Sequence, residues 1–421
     1  MKSVNPRTYW LLFYVFANII AAYIMFYTGE LVGDVDGKLY SKTVLGWALL
    51  LVISSYFLIL QPLFNTLAKI KIKPLYFPGD DEVTGRRLGY VLFISQLVYL
   101  AFNLFYGVNV AGNSPTDDNI PFSFFWALFP VDTLVVIYYG NYRSSKMFYP
   151  NLFIWIIGNL IRGWSGVLFL VMFFEWCRAY RGGKISMRII LILAIFCVIF
   201  YPLLLNLKWI VRASAQSNVG LFELINTGIS GFDASDYFSL IGDGILQVVS
   251  RFQTTSNLVE VIRLRELLQS EFLRGSFTPF WMEGLHGIVF ERLFYSARSI
   301  PIGVAFTGYG DFNYIFDIGS WNTNIAFAGW FFIAPFLIPI YIAYTIFLGF
   351  LSFFLTRKIS SLKQSEDMLW FMWLIYILPP WHSAFILFIY SLILFVVLKG
   401  IVSWVGFSLV PRVPVRAEES F

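Results

Sequence analysis

Hydrophobic positions in this chain come in long unbroken blocks, separated by short polar joints. A helix needs about twenty apolar residues to cross the ~30 Å hydrocarbon core of a bilayer. Blocks near that length lie at residues 9–27, 44–64, 88–108, 122–139, 189–207 and 385–405. Residues 325–354 form a longer block that predicts a tilted or extended span, and residues 369–378 a shorter one. Residues 150–176 are one apolar run broken by Asn159 and by Arg162-Gly163-Trp164-Ser165-Gly166. The first block continues without a small-residue cleavage pattern, so it is expected to be a span and not a removed signal peptide.

The polar joints orient the blocks. Lys69, Lys71, Lys73, Arg86 and Arg87 fall in one joint, Arg143 and Lys146 in another. Arg178, Arg181, Lys184 and Arg188 follow, then Arg357, Lys358 and Lys363, then Arg412 and Arg416 near the end. Basic joints stay in the cytoplasm. Both flanks of the 150–176 run are basic, so a single crossing would put one of them outside. Two short crossings, or a re-entrant hairpin whose apex stays within the membrane depth, keep both inside, with Arg162 at the outer apex. The expected topology is an all-α polytopic membrane protein with ten crossings and both termini cytoplasmic.

Against this pattern one stretch stands apart. Residues 208–322 mix charge, glycine and aromatics, with eight Lys/Arg against eleven Asp/Glu. The chain is therefore divided into a first membrane bundle (1–207), a large periplasmic loop domain (208–322), and a last set of three crossings with a cytoplasmic tail (323–421). Within the loop, helices are expected at 219–227, at 236–249 with Ser235 as N-cap, and at 257–272 as one amphipathic helix. The loop is expected to cap the outer mouth of the bundle.

Composition agrees with membrane residence. The chain is 58% hydrophobic and only 13% charged, where soluble domains carry about 25% charged residues. The net charge of +5 sits in the joints as a topology signal, so no nucleic-acid partner is expected. Cys177 and Cys197 lie in or beside apolar blocks and make neither a disulfide framework nor a metal site.

Candidate chemistry is sparse. Arg162 leads, because an arginine inside an apolar run is costly and marks function by default; the structural alternative is an arginine snorkelling from a turn. Arg251, Arg292 and Arg298 come next, since guanidinium forks bind phosphate oxygens bidentately; ordinary ion pairing is the alternative for each. Arg263, Arg265 and Arg274 read as solvated helix charges. His286 and His382 are the two histidines, and an imidazole can serve as a general base near neutrality. Asp233, Asp236, Asp243 and Glu291 compete for that role. Asp132 is a buried carboxylate, paired, protonated or structural. Phosphate-loop, nucleophile-elbow and dinucleotide motifs are lacking, and so are clustered metal ligands; neither a metal nor a cofactor is expected.

The segment Ile161-Arg162-Gly163-Trp164-Ser165-Gly166 at an outer turn, the large outer loop after a further pair of crossings, and Asn322-Thr323-Asn324 opening the next span resemble the bacterial O-antigen and capsule repeat-unit polymerases (the Wzy family). The resemblance covers residues 151–354, and extends more distantly to the O-antigen ligases. Arg292, ten residues and then Gly303 is similar to an arginine-to-glycine spacing in some of these polymerases. The resemblance implies a GT-C-like architecture in the bacterial inner membrane and metal-independent glycosyl transfer at its periplasmic face. A growing glycan on undecaprenyl pyrophosphate would pass to the free end of a new lipid-linked repeat unit, building O-antigen for lipopolysaccharide or a capsular polysaccharide. It also implies membrane lipids and a chain-length regulator as partners. Arg162, Arg251, Arg292 and Arg298, with Asn322 and Asn324, would hold the pyrophosphate end. The base would be His286 first and Asp243 second; where the ligases carry a His-Asn pair, this chain has Asn322 and Asn324. Alternatives are a ligase-like transferase, a flippase or transporter for lipid-linked glycans, and a membrane scaffold.

Overall fold

The computed structural model describes residues 5–35, 37–77, 81–110, 120–183, 237–294, 300–310 and 323–409. Among them there are helices and no strands. The 189–207 block, the 219–227 stretch, Ser235 and Cys197 lie outside the described residues.

Six segments are long and apolar enough to cross a membrane. Three are α1 (Pro6–Thr28), α2 (Lys42–Ala68) and α3 (Asp81–Tyr106). The fourth, Ser123–Asn141, is bent into α4 (Ser123–Leu128) and α5 (Val131–Asn141). Pro130, which has no N–H to give to a helix, stands at the bend. The short pair α6 (Phe148–Ile161) and α7 (Gly166–Arg181) follows. At 1.5 Å per residue these run about 21 and 24 Å, less than a full span. Gly163 at φ 80° makes the turn between them.

After the undescribed stretch come α8 (Tyr237–Phe252), α9 (Thr255–Arg263), α10 (Arg265–Arg274), α11 (Leu285–Phe294), α12 (Ile302–Tyr309) and α13 (Gly329–Ile333). The chain closes with α14 (Ile338–Ile359), α15 (Lys363–Met372) and α16 (His382–Leu409). A π-helical turn, Trp373–Ile377, extends α15. The fifth and sixth spans are Pro335–Ile359 and His382–Trp404. The expected single helix at 257–272 is in fact two. Leu264 leaves helical geometry between α9 and α10, which lets α10 fold onto α13, where Leu268 is buried and Gln269 Nε2 donates to the Phe332 carbonyl at 2.7 Å. The long 325–354 block likewise starts as the short α13, and Ala334 breaks it ahead of Pro335.

One end of the bundle is tied by charge. Arg7 reaches Asp367 at 2.8 Å and Glu366 at 3.2 Å. Arg357 and Lys363 share Glu366 at 2.8 and 3.1 Å, and Arg181 pairs with Asp367. Arg143 and Arg178 both reach Glu175, at 3.0 and 3.2 Å. Burial alone would raise the Glu366 carboxyl, but Arg7, Lys363 and Arg357 together hold it below the usual carboxylate range. The basic flanks of α6 and α7 thus stand at one end, and the α6–α7 turn points away from it. This is the hairpin that charge parity required.

Aromatic rings fill the middle. Trp10 stacks on Phe173 at 6.0 Å, and Phe173 on Trp370 at 5.5 Å, joining α1, α7 and α15. Close approach between helices rests on small and amide residues, as apolar helices in lipid require. Gly85 and Gly89 of α3 lie flush against Tyr142 and Tyr138. Gln96 of α3 donates to Asn151 of α6 at 2.7 Å, and Asn151 donates in turn to the Gly89 carbonyl at 2.9 Å.

The loop segment does not all stay at the surface. Asn18, in the middle of α1, accepts from the Thr254 and Thr255 backbone N–H groups at 2.9 and 3.1 Å and from the Thr255 hydroxyl at 2.7 Å. It lies about 18 Å along α1 from Pro6, so the α8–α9 turn enters the bundle to mid-depth. Backbone that leaves helical pairing at that depth must be satisfied by protein. Gln253 contributes by donating to the Val32 carbonyl at 2.8 Å and accepting from the Ser256 N–H at 3.0 Å. All of α9 except its last residue is buried, packed on α1, α2 and α13.

Candidate functional site

Two buried polar groupings lie away from the charge-tied end. The first is at the α6–α7 turn. Arg162 is only 2% exposed. Its Nε donates to the Gly158 carbonyl at 3.0 Å, and its Nη2 donates to both oxygens of Asp132, at 2.9 and 2.8 Å. Asn159 adds a 3.3 Å bond to the same carboxylate, and the guanidinium lies over the Tyr99 ring at 5.2 Å. The bend at Pro130 places Asp132 in the first turn of α5, within reach of the hairpin. Of the readings open to Asp132, the paired one applies. A cavity of about 10 Å³ lies against Gln96, Tyr99, Asp132, Trp155, Gly158 and Arg162. It has room for about one water. Arg162 Nη1, Gln96 Oε1 and Trp155 Nε1 have no partner among the described residues. Chemically this is an anion-binding fork already filled by a carboxylate, with one donor nitrogen left over.

The second grouping is at the start of α16. His382 is 1% exposed and Glu283 7%. The His382 Nδ1 stands 3.8 Å from Glu283 Oε2, too far for a hydrogen bond. The Glu283 carboxyl accepts from the Ser383 backbone N–H and so caps α16. Tyr341 and Tyr344 of α14 flank the imidazole at 5.6 and 5.9 Å, and Phe280 at 6.4 Å. Both ring nitrogens of His382, Glu283 Oε1, the Tyr341 hydroxyl and Trp330 Nε1 lack partners among the described residues. Buried polar groups are rarely left so. Burial pushes the Glu283 carboxyl up to about 8, and the Ser383 N–H offsets only part of that rise. The carboxyl is therefore mostly protonated near neutrality, ready to donate a proton.

The remaining candidates are dispersed. Arg251 pairs with Asp34 at 3.4 Å and is about half exposed. Asn324 accepts from Asn257 through its carbonyl at 2.9 Å and from the Ala326 N–H through Oδ1 at 3.3 Å, bracing Ala326 at φ 58°. His286 is exposed and held by the Trp281 carbonyl at 2.7 Å. Arg292 lies on α11 and Asp243 on α8, with side chains outside the described part. Arg298 and Asn322 fall outside the described residues. No described contact joins Arg162 to Arg251, His286 or Asn324. Among the described residues no three His, Cys, Asp or Glu side chains converge. Sequence reasoning weighed His382 but passed over Glu283. The signal was available, since a lone acid in the apolar stretch Phe280-Trp281-Met282-Glu283-Gly284 is costly unless used.

No protein-family model matches the chain, and neither does any curated protein or any solved structure.

Proposed function

We propose that this protein is a membrane glycosyltransferase that polymerises repeat units linked to undecaprenyl pyrophosphate, for O-antigen or capsular polysaccharide. The observation that carries the reading is the unsatisfied Glu283–His382 pair. In the transfer, an acceptor sugar hydroxyl attacks the anomeric carbon of the donor, its proton leaves, and the bond to the lipid pyrophosphate breaks. The unpartnered imidazole of His382 can accept that proton, and the Glu283 carboxyl 3.8 Å away can offset the new positive charge by releasing its own proton. The pair takes the role expected of His286 and Asp243. Substrate reaches it when the segment carrying Phe280 and Glu283 lifts from α14 and α16.

In this reading the charge-tied end faces the cytoplasm of a bacterial inner membrane and the two buried groupings face the periplasm. The chain makes ten crossings in a GT-C-like arrangement, with both termini inside. The arginines Arg162, Arg251, Arg292 and Arg298 offset the charge that develops on the departing pyrophosphate. Arg162 does so by exchanging Asp132 for phosphate oxygens. A chain-length regulator would act from the periplasmic side.

The test is a glycan profile of a deletion strain. Single repeat units held on the lipid carrier or core are the expected result. Long polymer retained on the carrier would indicate a ligase instead. Single units facing the cytoplasm would indicate a flippase, a reading favoured by the Arg162–Asp132 pair inside the bundle.

A further inference from the structure

At the charge-tied end, α7 finishes beside the start of α15, and a cavity of about 570 Å³ opens between them. That is the size of a small-molecule site. Its walls include Arg178, Arg181, Gly182, Leu362, Lys363 and Gln364. The charged residues among its described walls are all cationic. Arg178 is bound to Glu175 through one nitrogen and its side chain is 52% exposed. Lys363 touches Glu366 through its single ammonium and is 69% exposed. Arg181 is tied to Asp367.

The surrounding charges do not cancel this. Among the described residues, Arg7, Arg143, Arg178, Arg181, Arg357 and Lys363 are joined here by three carboxylates, Glu175, Glu366 and Asp367. Those three acids are already shared, each between at least two cations. The excess is positive, and the spare guanidinium N–H groups of Arg178 and the Lys363 ammonium border the opening. An anion with several oxygens satisfies them at once, as phosphate does. The position adds a second constraint. The cavity lies beside Arg7 and Arg357, at the ends of the membrane-length helices Pro6–Thr28 and Pro335–Ile359, and basic pockets between such helices attract anionic lipid.

We infer that the cavity between the end of α7 and the start of α15 binds a phosphate-bearing anion, held by Arg178, Arg181 and Lys363. A lipid headgroup and a soluble phosphate present the same oxygens. The site is independent of glycosyl transfer, and lies at the opposite end of the bundle from Glu283 and His382.

The experiment uses the purified full-length chain and reads its thermal unfolding midpoint. Phosphatidylglycerol, phosphatidylcholine or inorganic phosphate is added in turn. Phosphatidylglycerol is expected to raise the midpoint and phosphatidylcholine to leave it unchanged. The doubly substituted Arg178→Gln/Lys363→Gln chain should need about thirtyfold more phosphatidylglycerol for the same protection, given what each of the two cations contributes at a membrane surface. Lys358→Gln, which removes a cation outside the cavity, should behave as wild type. Protection by inorganic phosphate alone would support the site with a soluble ligand as its source. Protection by neither, or equal protection of the double variant, would overturn the proposal. Should the double variant fail to fold, the salt dependence of protection in the wild type decides: a rise in midpoint unaffected by salt also overturns it.

Discussion

Arg162 grips both carboxylate oxygens of Asp132 through a single nitrogen, at 2.9 and 2.8 Å, across a turn that neither residue's own helix contains. The bond ties the α6–α7 hairpin to the bent span α4–α5. It also means that the arginine most expected to hold pyrophosphate already holds an anion.

Removing one partner should therefore be worse than removing both. Asp132→Ala leaves the buried Arg162 guanidinium without its anion, a loss of about 3–5 kcal/mol, whereas Arg162→Ala strands only a half-buried carboxylate and costs less. Reduced abundance of folded protein in the membrane is expected. The neutral pair Arg162→Gln with Asp132→Asn should restore most of that abundance while polymer stays absent. Polymer of wild-type length from the neutral pair would leave Arg162 with a structural role alone.

Asn18 offers a test of the mid-depth turn. Asn18→Leu strips the acceptor from three donors at the start of α9. Loss of a cap costs about 1 kcal/mol, and donors stranded in a dry site add about 1–3 kcal/mol. The unfolding midpoint in detergent should fall clearly. Asn18→Asp, which keeps an acceptor oxygen, should recover part of the loss.

Glu283 makes stability depend on pH in an unusual direction. Folded, its carboxyl titrates at about 8; unfolded, it returns to the ordinary 4.5. Between those values the folded protein keeps a proton that the unfolded chain has released. Stability due to this group is then lost as pH rises through the window and levels off above it. Glu283→Gln should flatten that part of the profile and exceed wild type on the alkaline side. Midpoints measured across the pH series check the sign. If Glu283 also serves in proton transfer, the same variant should lose polymer while its protein level holds.

Helix contact at α3 is tested by adding one methyl group. A Cβ on Gly89 would come 2.5 Å from the Tyr138 hydroxyl, the group that donates to the Gly85 carbonyl. Gly89→Ala should cost about 1–3 kcal/mol through overpacking. Gly46→Ala, with open space around the position, should cost nothing measurable, and comparing the two unfolding curves separates packing from helix propensity.

Membrane residence and the hairpin were legible because both depend on local sums. Span length is a count of consecutive apolar residues, and the hairpin follows from basic flanks such as Arg143 and Arg178, which meet at Glu175. Arg162 stood out for the same reason, as a charge whose burial needs a cause. Its partner was flagged separately, but nothing in the spacing of thirty residues joined the two. The Glu283–His382 pair was hidden more deeply, since each residue sits alone among aromatics and only the fold brings α16 against the loop. The split of 257–272 at Leu264 was also out of reach, because the amphipathic pattern runs through it and packing on α13 makes the break.

The Asn18 latch also sets an order of assembly. Thr254 and Asn18 are separated by 236 residues, so the ribosome is still working when α1 is already threaded into lipid. At typical synthesis rates the wait lasts roughly 10–50 s. Through that interval the Asn18 amide nitrogen can rest on its own helix, at the Tyr14 carbonyl, while its oxygen has no later strand of chain to receive. The early spans must then stand as a loosely closed cradle, and the tip of α8–α9 arrives later to lock it. A chain arrested before Thr254 would be inserted but unlatched, with the Asn18 oxygen lacking its three donors.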